Sequence, residues 1–262
     1  MSRTIGRKLL HSAMIAAALL ALPALAQYGQ YAHMTPGEQA AAQSLIADAN
    51  QDRARYGLGP LRVDPNLTAA AWQHEQIMLR SRGLSHQLPG EPDLTARIQQ
   101  AGVRCSTVAE NLAEAPTPGQ INNEWMHSPP HRANLLDPRL NAVGVAVTRR
   151  NGELYAVQDF ARELQTLTPM QQEQQVATLL RARGLSVEKG GGLAHEYCDR
   201  DPAHARPLPK LVMRYSTADL SRLTAQVEQG IRSGRFRRAD VAACHGSMEN
   251  GFAAYQIVLL LY

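Results

Sequence analysis

An Asn-Gly pair, Asn151-Gly152, separates two short runs in which apolar residues recur at every second position. Asn141 to Thr148 sets Val143, Val145 and Val147 on one face, and Leu154 to Phe160 follows the pair. Asn-Gly adopts the left-handed backbone of a two-residue turn at low cost, so the two runs read as an antiparallel hairpin. A hairpin with an apolar face is not stable alone in water, so the chain around it must cover that face.

What precedes the hairpin reads as helix. Thr35-Pro36 with Glu38 three residues on is a capping box, and Ala41, Ala42, Leu45, Ile46 and Ala49 recur at helical spacing until Gly57. Asp64-Pro65 opens a second helix over 66–82, where Leu67, Ala70, Ala71, His74, Ile77 and Met78 share a face and Gly83 stops the run. Shorter helices fit 93–101 and 120–127, and Ser128-Pro129 reads as a fresh start, with Ser128 as cap and His131 in the first turn. Helices first and a hairpin last describe an α+β layered domain over 38–163. From Leu164 to Tyr262 the helix-like windows are 169–183 and 217–233 and the strand-like runs are 211–215 and 254–262, while 189–192 and 201–209 read as loops. The fresh start at Thr168-Pro169 and a change in charge balance mark 164–262 as a second, small α+β domain whose role the sequence does not disclose.

The amino terminus is different in kind. Arg3, Arg7 and Lys8 precede an apolar run, 13–26, that ends Ala24-Leu25-Ala26, the three parts of a cleavable export signal over 1–26, followed by a linker over 27–37. The run is shorter than the ~20 residues of a bilayer span, which disfavours an anchor. Without this leader 24 basic side chains face 23 acidic ones, so the formal charge falls from +4 to +1. A near-neutral chain has no general field for nucleic acid, and no second apolar span follows. The expected location is outside the cytoplasm, secreted or in the periplasm or envelope. There 3 cysteines permit one bridge; Cys198 with Cys244 is favoured because both lie in the second domain, leaving Cys105 as the odd thiol.

Three segments carry chemistry: Leu84-Ser85-His86, Ala109-Glu110-Asn111-Leu112, and Trp125-Met126-His127-Ser128-Pro129-Pro130-His131-Arg132-Ala133-Asn134. Two imidazoles and a carboxylate suit an open Zn²⁺ site, a general acid/base pair, or a hydrogen-bonded packing network. His127 and His131 are four apart, but the two prolines interrupt any shared helix. No nucleophile elbow, H-E-x-x-H or phosphate-loop lysine motif is present.

Taken in order, these segments resemble the CAP superfamily of cysteine-rich secretory proteins, venom antigens and plant pathogenesis-related proteins, in particular its secreted bacterial branch. Asn50 to Leu58, Pro60-Leu61, Asp64 to Leu67 and Gln158-Asp159-Phe160 extend the likeness over 38–160. The resemblance implies an αβα sandwich with a cleft of two His and two Glu. Carried over by position, these are His86, His131 and Glu110, with Ser128 where the animal and plant branch has its second Glu; Glu124 is the nearest replacement acid. It further implies binding of an apolar small molecule, a lipid or an extracellular protein more often than turnover. No cofactor is required, although Zn²⁺ or another divalent metal on His86 and His131 is an expectation. The competing class is a metal-assisted hydrolase of peptide or lipid in the same cleft.

Overall fold

The computed structural model describes residues 33–81, 83–187, 192–200, 202, 206–245, 248–249 and 252–262. The export signal, most of the linker, Arg82, residues 189–191 and much of the 201–209 loop lie outside them.

The first half is an αβα sandwich. Its helices are α1 (Pro36–Arg55), α2 (Pro65–Ser81), α3 (Leu94–Gln100), α4 (Pro118–His127) and α5 (Pro129–Leu135). Its strands are β1 (Arg62–Val63), β2 (Cys105–Ala115), β3 (Ala142–Arg150) and β4 (Glu153–Glu163), paired in the order β1-β3-β4-β2. The capping box at Thr35 forms, so the linker ends in the cap and first turn of α1. The hairpin forms as the Asn-Gly pair predicts, with Asn151 at φ 52° and Gly152 at φ 91°. Strand β2, which the sequence reading lacks, pairs antiparallel with β4 and is the open edge of the sheet.

Alternation assigns the two faces. Glu110, Asp159, Gly144 and Thr148 lie on the face beneath α2 and α3, whereas Asn111, Gln158, Val143, Val145 and Val147 lie on the face covered by α1, α4 and α5. The main core combines Leu45, Ala49, Ile121, Trp125, Leu135, Val145 and Phe160. Trp125 is fully buried and donates from Nε1 to the Leu112 carbonyl at 3.0 Å. Trp72 is half-buried and stacks on His33 with ring centroids 4.3 Å apart.

Two close approaches fix the layers. A Cβ built on Gly144 would lie 2.1 Å from the Thr68 nitrogen and 2.2 Å from the Leu67 carbonyl carbon, so the absence of a side chain there lets α2 rest on β3. On the other side the buried Arg53 guanidinium of α1 donates to the carbonyls of Gly59, Leu135, Asp137 and Leu140 at 2.9–3.1 Å. It thereby satisfies the Leu135 carbonyl at the C-terminus of α5 and ties that helix and the turn after it to α1.

The second half holds a sheet of β5 (Ser186–Val187), β6 (Leu211–Thr217), β7 (Arg238–Cys244) and β10 (Tyr255–Leu261) in the order β5-β7-β10-β6, with a short β8 (Met248–Glu249) and β9 (Phe252–Ala253) hairpin. Helix α6 (Pro169–Arg181) packs on it. The expected helix over 217–233 is only α7 (Ala225–Arg232): Thr217 ends β6, and Thr224 caps the helix by accepting from the Val227 N–H. Cys198 and Cys244 form the expected disulfide and Cys105 is free and buried; burial raises its thiol to about 11, which keeps it protonated and unreactive. The two halves meet where Phe252 packs on the cluster of Leu67, Ile98, Val103, Cys105 and Ala161, and where Arg162 Nη2 lies 3.3 Å from Asp219 Oδ2.

Gly144→Ala is expected to destabilise the protein by about 3 kcal/mol, because α2 must move off the sheet to admit a methyl group. Urea unfolding followed by circular dichroism measures it.

Candidate functional site

The site is built on the edge strand. Glu110 projects from β2 toward the face under α2 and α3, and its side chain is only 2% exposed. One oxygen, Oε1, lies 2.8 Å from His86 Nδ1, and the other, Oε2, accepts from Arg97 Nη2 at 2.6 Å. His86 comes from the loop after α2 and is 59% exposed, so the pair joins a buried carboxylate to a surface imidazole. Arg97, on α3, also donates to the His86 carbonyl at 3.2 Å and so fixes the loop as well as the charge.

Behind this pair lies a second layer. His74 Nδ1 is 2.7 Å from Glu91 Oε1, and its Nε2 lies 3.7 Å from Glu110 Oε2. Glu91 Oε2 lies 3.7 Å from Arg97 Nη1. Directly across the ladder from Glu110 stands Asp159, fully buried. Burial first and the charge of Glu110 second push the Asp159 carboxyl well above its ordinary value, with Arg97 opposing. Asp159 thus holds a proton more readily than an ordinary carboxyl, which limits the negative charge buried beside Glu110.

His131 reaches the same edge from the opposite face. It sits in the first turn of α5, and its carbonyl accepts from Asn111 Nδ2 at 3.3 Å. Asn134, one turn on, donates to the Glu110 carbonyl at 3.1 Å and to Asn111 Oδ1 at 3.0 Å. The His131 pKa is lowered, mainly by partial burial and then by the proximity of His86. His86, from the side of α2 and α3, and His131, from α5, are thus near enough to interact electrostatically.

The remaining candidates stand apart. Glu124 is exposed on α4 and makes no ion pair among the described residues. Ser128 is half-buried at the junction of α4 and α5, and its hydroxyl makes no capping bond. His127 is exposed, with Nδ1 bonded to the Asn123 carbonyl of its own helix. Among the described residues no group of three or more His, Cys, Asp or Glu is arranged to hold a metal ion. Sequence reasoning missed His74, Glu91, Arg97 and Asp159 as members of the cluster. The available signal was His74, a polar residue on an otherwise apolar helix face.

This arrangement, an edge strand carrying Glu110 between histidines from two helical layers of an αβα sandwich, defines a CAP domain. The family model for the cysteine-rich secretory protein family matches residues 46–160, so it is this stretch of the chain that is CAP-like. It is similar to Bacillus subtilis YkwD, 29% identical over 125 residues that make up 47% of this chain and 49% of that protein. It is also similar to the Bacillus subtilis membrane protein YlbC, 28% identical over 126 residues, 47% of this chain and 35% of that protein. The matched region thus spans half or less of either relative. Among solved structures, an extracellular protein with an SCP domain from Bacillus anthracis is 26% identical with a TM-score of 0.46, covering 50% of this chain and 44% of that one. Among the described residues no helix is long and apolar enough to cross a membrane.

Two predictions follow from the buried charges. Arg97→Met leaves Glu110 and Glu91 without their cation and should cost about 3–5 kcal/mol in denaturant unfolding, with part of the loss returned by adding Glu110→Gln. The second concerns Glu75, buried beside His74 on α2, where burial outweighs the bond from the Thr148 hydroxyl and raises its pKa to about 8. Between the unfolded-state value near 4.5 and about 8 the folded state keeps a proton that the unfolded state has lost. Stability must therefore fall as pH rises through this window, by at most about 1.4 kcal/mol per pH unit. Glu75→Gln is expected to remove that part of the slope and to melt higher than the parent at pH 8.

Proposed function

We propose that this chain is an exported recognition protein, acting in the envelope or outside the cell, whose CAP domain presents His86 and His131 over the edge of its sheet to an apolar small molecule, a lipid or an extracellular protein. The observation that carries this reading is the double engagement of Glu110. With Oε1 on His86 and Oε2 on Arg97, its carboxylate serves to hold the cleft wall rather than to take a proton from a substrate. The companion acid, Asp159, is fully buried and so out of reach of a bound molecule.

A metal-assisted hydrolase of peptide or lipid is the second reading, favoured by the His86 and His131 pair, since a lowered imidazole pKa keeps His131 in the neutral form that binds metals. The donor set is short for that role. A catalytic zinc site takes about three protein ligands, and here the carboxylate nearest the two imidazoles is already held by Arg97.

Calorimetric titration of metal-stripped mature protein with Zn²⁺, beside the His86→Ala/His131→Ala variant, separates the two readings. The recognition reading expects no micromolar binding in either protein and an unchanged melting temperature in the variant. Micromolar binding that disappears in the variant overturns it in favour of the hydrolase.

A further inference from the structure

Where the two sheets meet, a crevice of about 560 Å³ is walled by residues of both halves. Ser106 and Thr107 belong to β2, Arg162 to the end of β4 and Arg139 to the turn ahead of β3; Arg222 and Thr224 belong to the segment leading from β6 into α7. Three guanidinium groups thus line the crevice against one carboxylate, Asp219.

Like charges gathered in one recess repel, so their arrangement has to be enforced. Asp219 does part of this. Its Oδ2 lies 3.3 Å from Arg162 Nη2 and 3.2 Å from Arg222 Nε, while its Oδ1 accepts from the Ser221 N–H and hydroxyl at 2.9 and 2.6 Å. Asp137 holds Arg139 through Nε and Nη2 at 2.7–3.1 Å. These contacts orient the three forks yet leave Nη1 of Arg139, Nε and Nη1 of Arg162 and both terminal nitrogens of Arg222 without a protein acceptor among the described residues.

Further donors converge on the same recess. Ala225, at the start of α7, lines it, and the N–H groups of Ala225 and Gln226 precede the first bond of that helix, from Val227 to Thr224 Oγ1. Ser106, of β2, lines it too. A single halide satisfies one such donor. A tetrahedral oxyanion offers several acceptors in different directions and matches guanidinium forks and a helix start together.

We propose that this crevice is a binding site for a phosphate group, held by Arg139, Arg162 and Arg222 with the first turn of α7. Because its walls come from both halves, the site exists only in the docked arrangement, and an occupant stabilises that docking. The site is separate from the histidine cleft, so its failure leaves the proposed function untouched.

The test uses the full mature chain, titrated calorimetrically with inorganic phosphate at low salt. Arg139→Gln/Arg222→Gln is compared with Arg80→Gln/Arg235→Gln, which removes two exposed charges that line no part of the crevice. The side chains of Arg139 and Arg222 are 66% and 77% exposed, so both variants should fold, which their melting temperatures verify. Phosphate affinity is expected to fall at least about tenfold in the first variant and to stay unchanged in the second. Co-sedimentation with phosphatidylglycerol vesicles identifies the source: vesicle binding lost in the first variant assigns a lipid headgroup, and phosphate binding without vesicle binding assigns a soluble phosphate ester. Failure of the parent to bind either probe, or an equal loss in both variants, overturns the proposal.

Discussion

One row of residues across the sheet, Gly144 on β3, Asp159 on β4 and Glu110 on β2, sets where everything above it can lie. At Gly144 there is no side chain and α2 touches the backbone. One strand over, a carboxyl fills the space, and at the edge a second carboxyl meets Arg97 and His86. The row grades from steric contact to charge. Helix α2 is clamped at one end of it, and α3 with the loop carrying His86 is held electrostatically at the other. Each part presupposes the next: a bulkier residue at 144 lifts α2 and with it His74, and a lost cation at 97 leaves the buried carboxyls of Glu110, Glu91 and Asp159 with no guanidinium among them.

The opposite layer is fastened differently. Arg53 spends its donors on main-chain carbonyls rather than on a carboxylate, so α5 is placed by geometry instead of by a charge pair. Salt screens exposed ion pairs strongly and buried bonds of this kind weakly. His131 and Asn134 therefore stand on a helix fastened through main-chain carbonyls, while His86 is joined to the Glu110 carboxylate that Arg97 holds.

Much of this architecture is legible in the sequence, for local reasons. Capping at Thr35, Asp64 and Thr168 announces helices, and Asn151-Gly152 announces the hairpin, since each signal needs only its neighbours. Strand β2 escapes notice because Cys105–Ala115 is rich in Ala, Glu and Asn and does not alternate: its polar side chains are buried by partners far along the chain. Strand β7, Arg238–Cys244, is hidden for the same reason, and the 217–233 window misleads because an amphipathic pattern runs past the cap at Thr224 into a strand end. At the site, His86, Glu110 and His131 are visible through the order of three segments. His74, Glu91, Arg97 and Asp159 are not, because a polar residue on a helix or strand reads as solvent-facing until the layer that buries it is known.

The position of Glu110 on an outer strand carries a further consequence. An exposed edge is a template on which another chain can add a strand, and at Glu110 this edge is covered by Asn134, which donates to the Glu110 carbonyl, with helix α5 packed against β2. The residues that shape the cleft therefore also guard the protein against self-association.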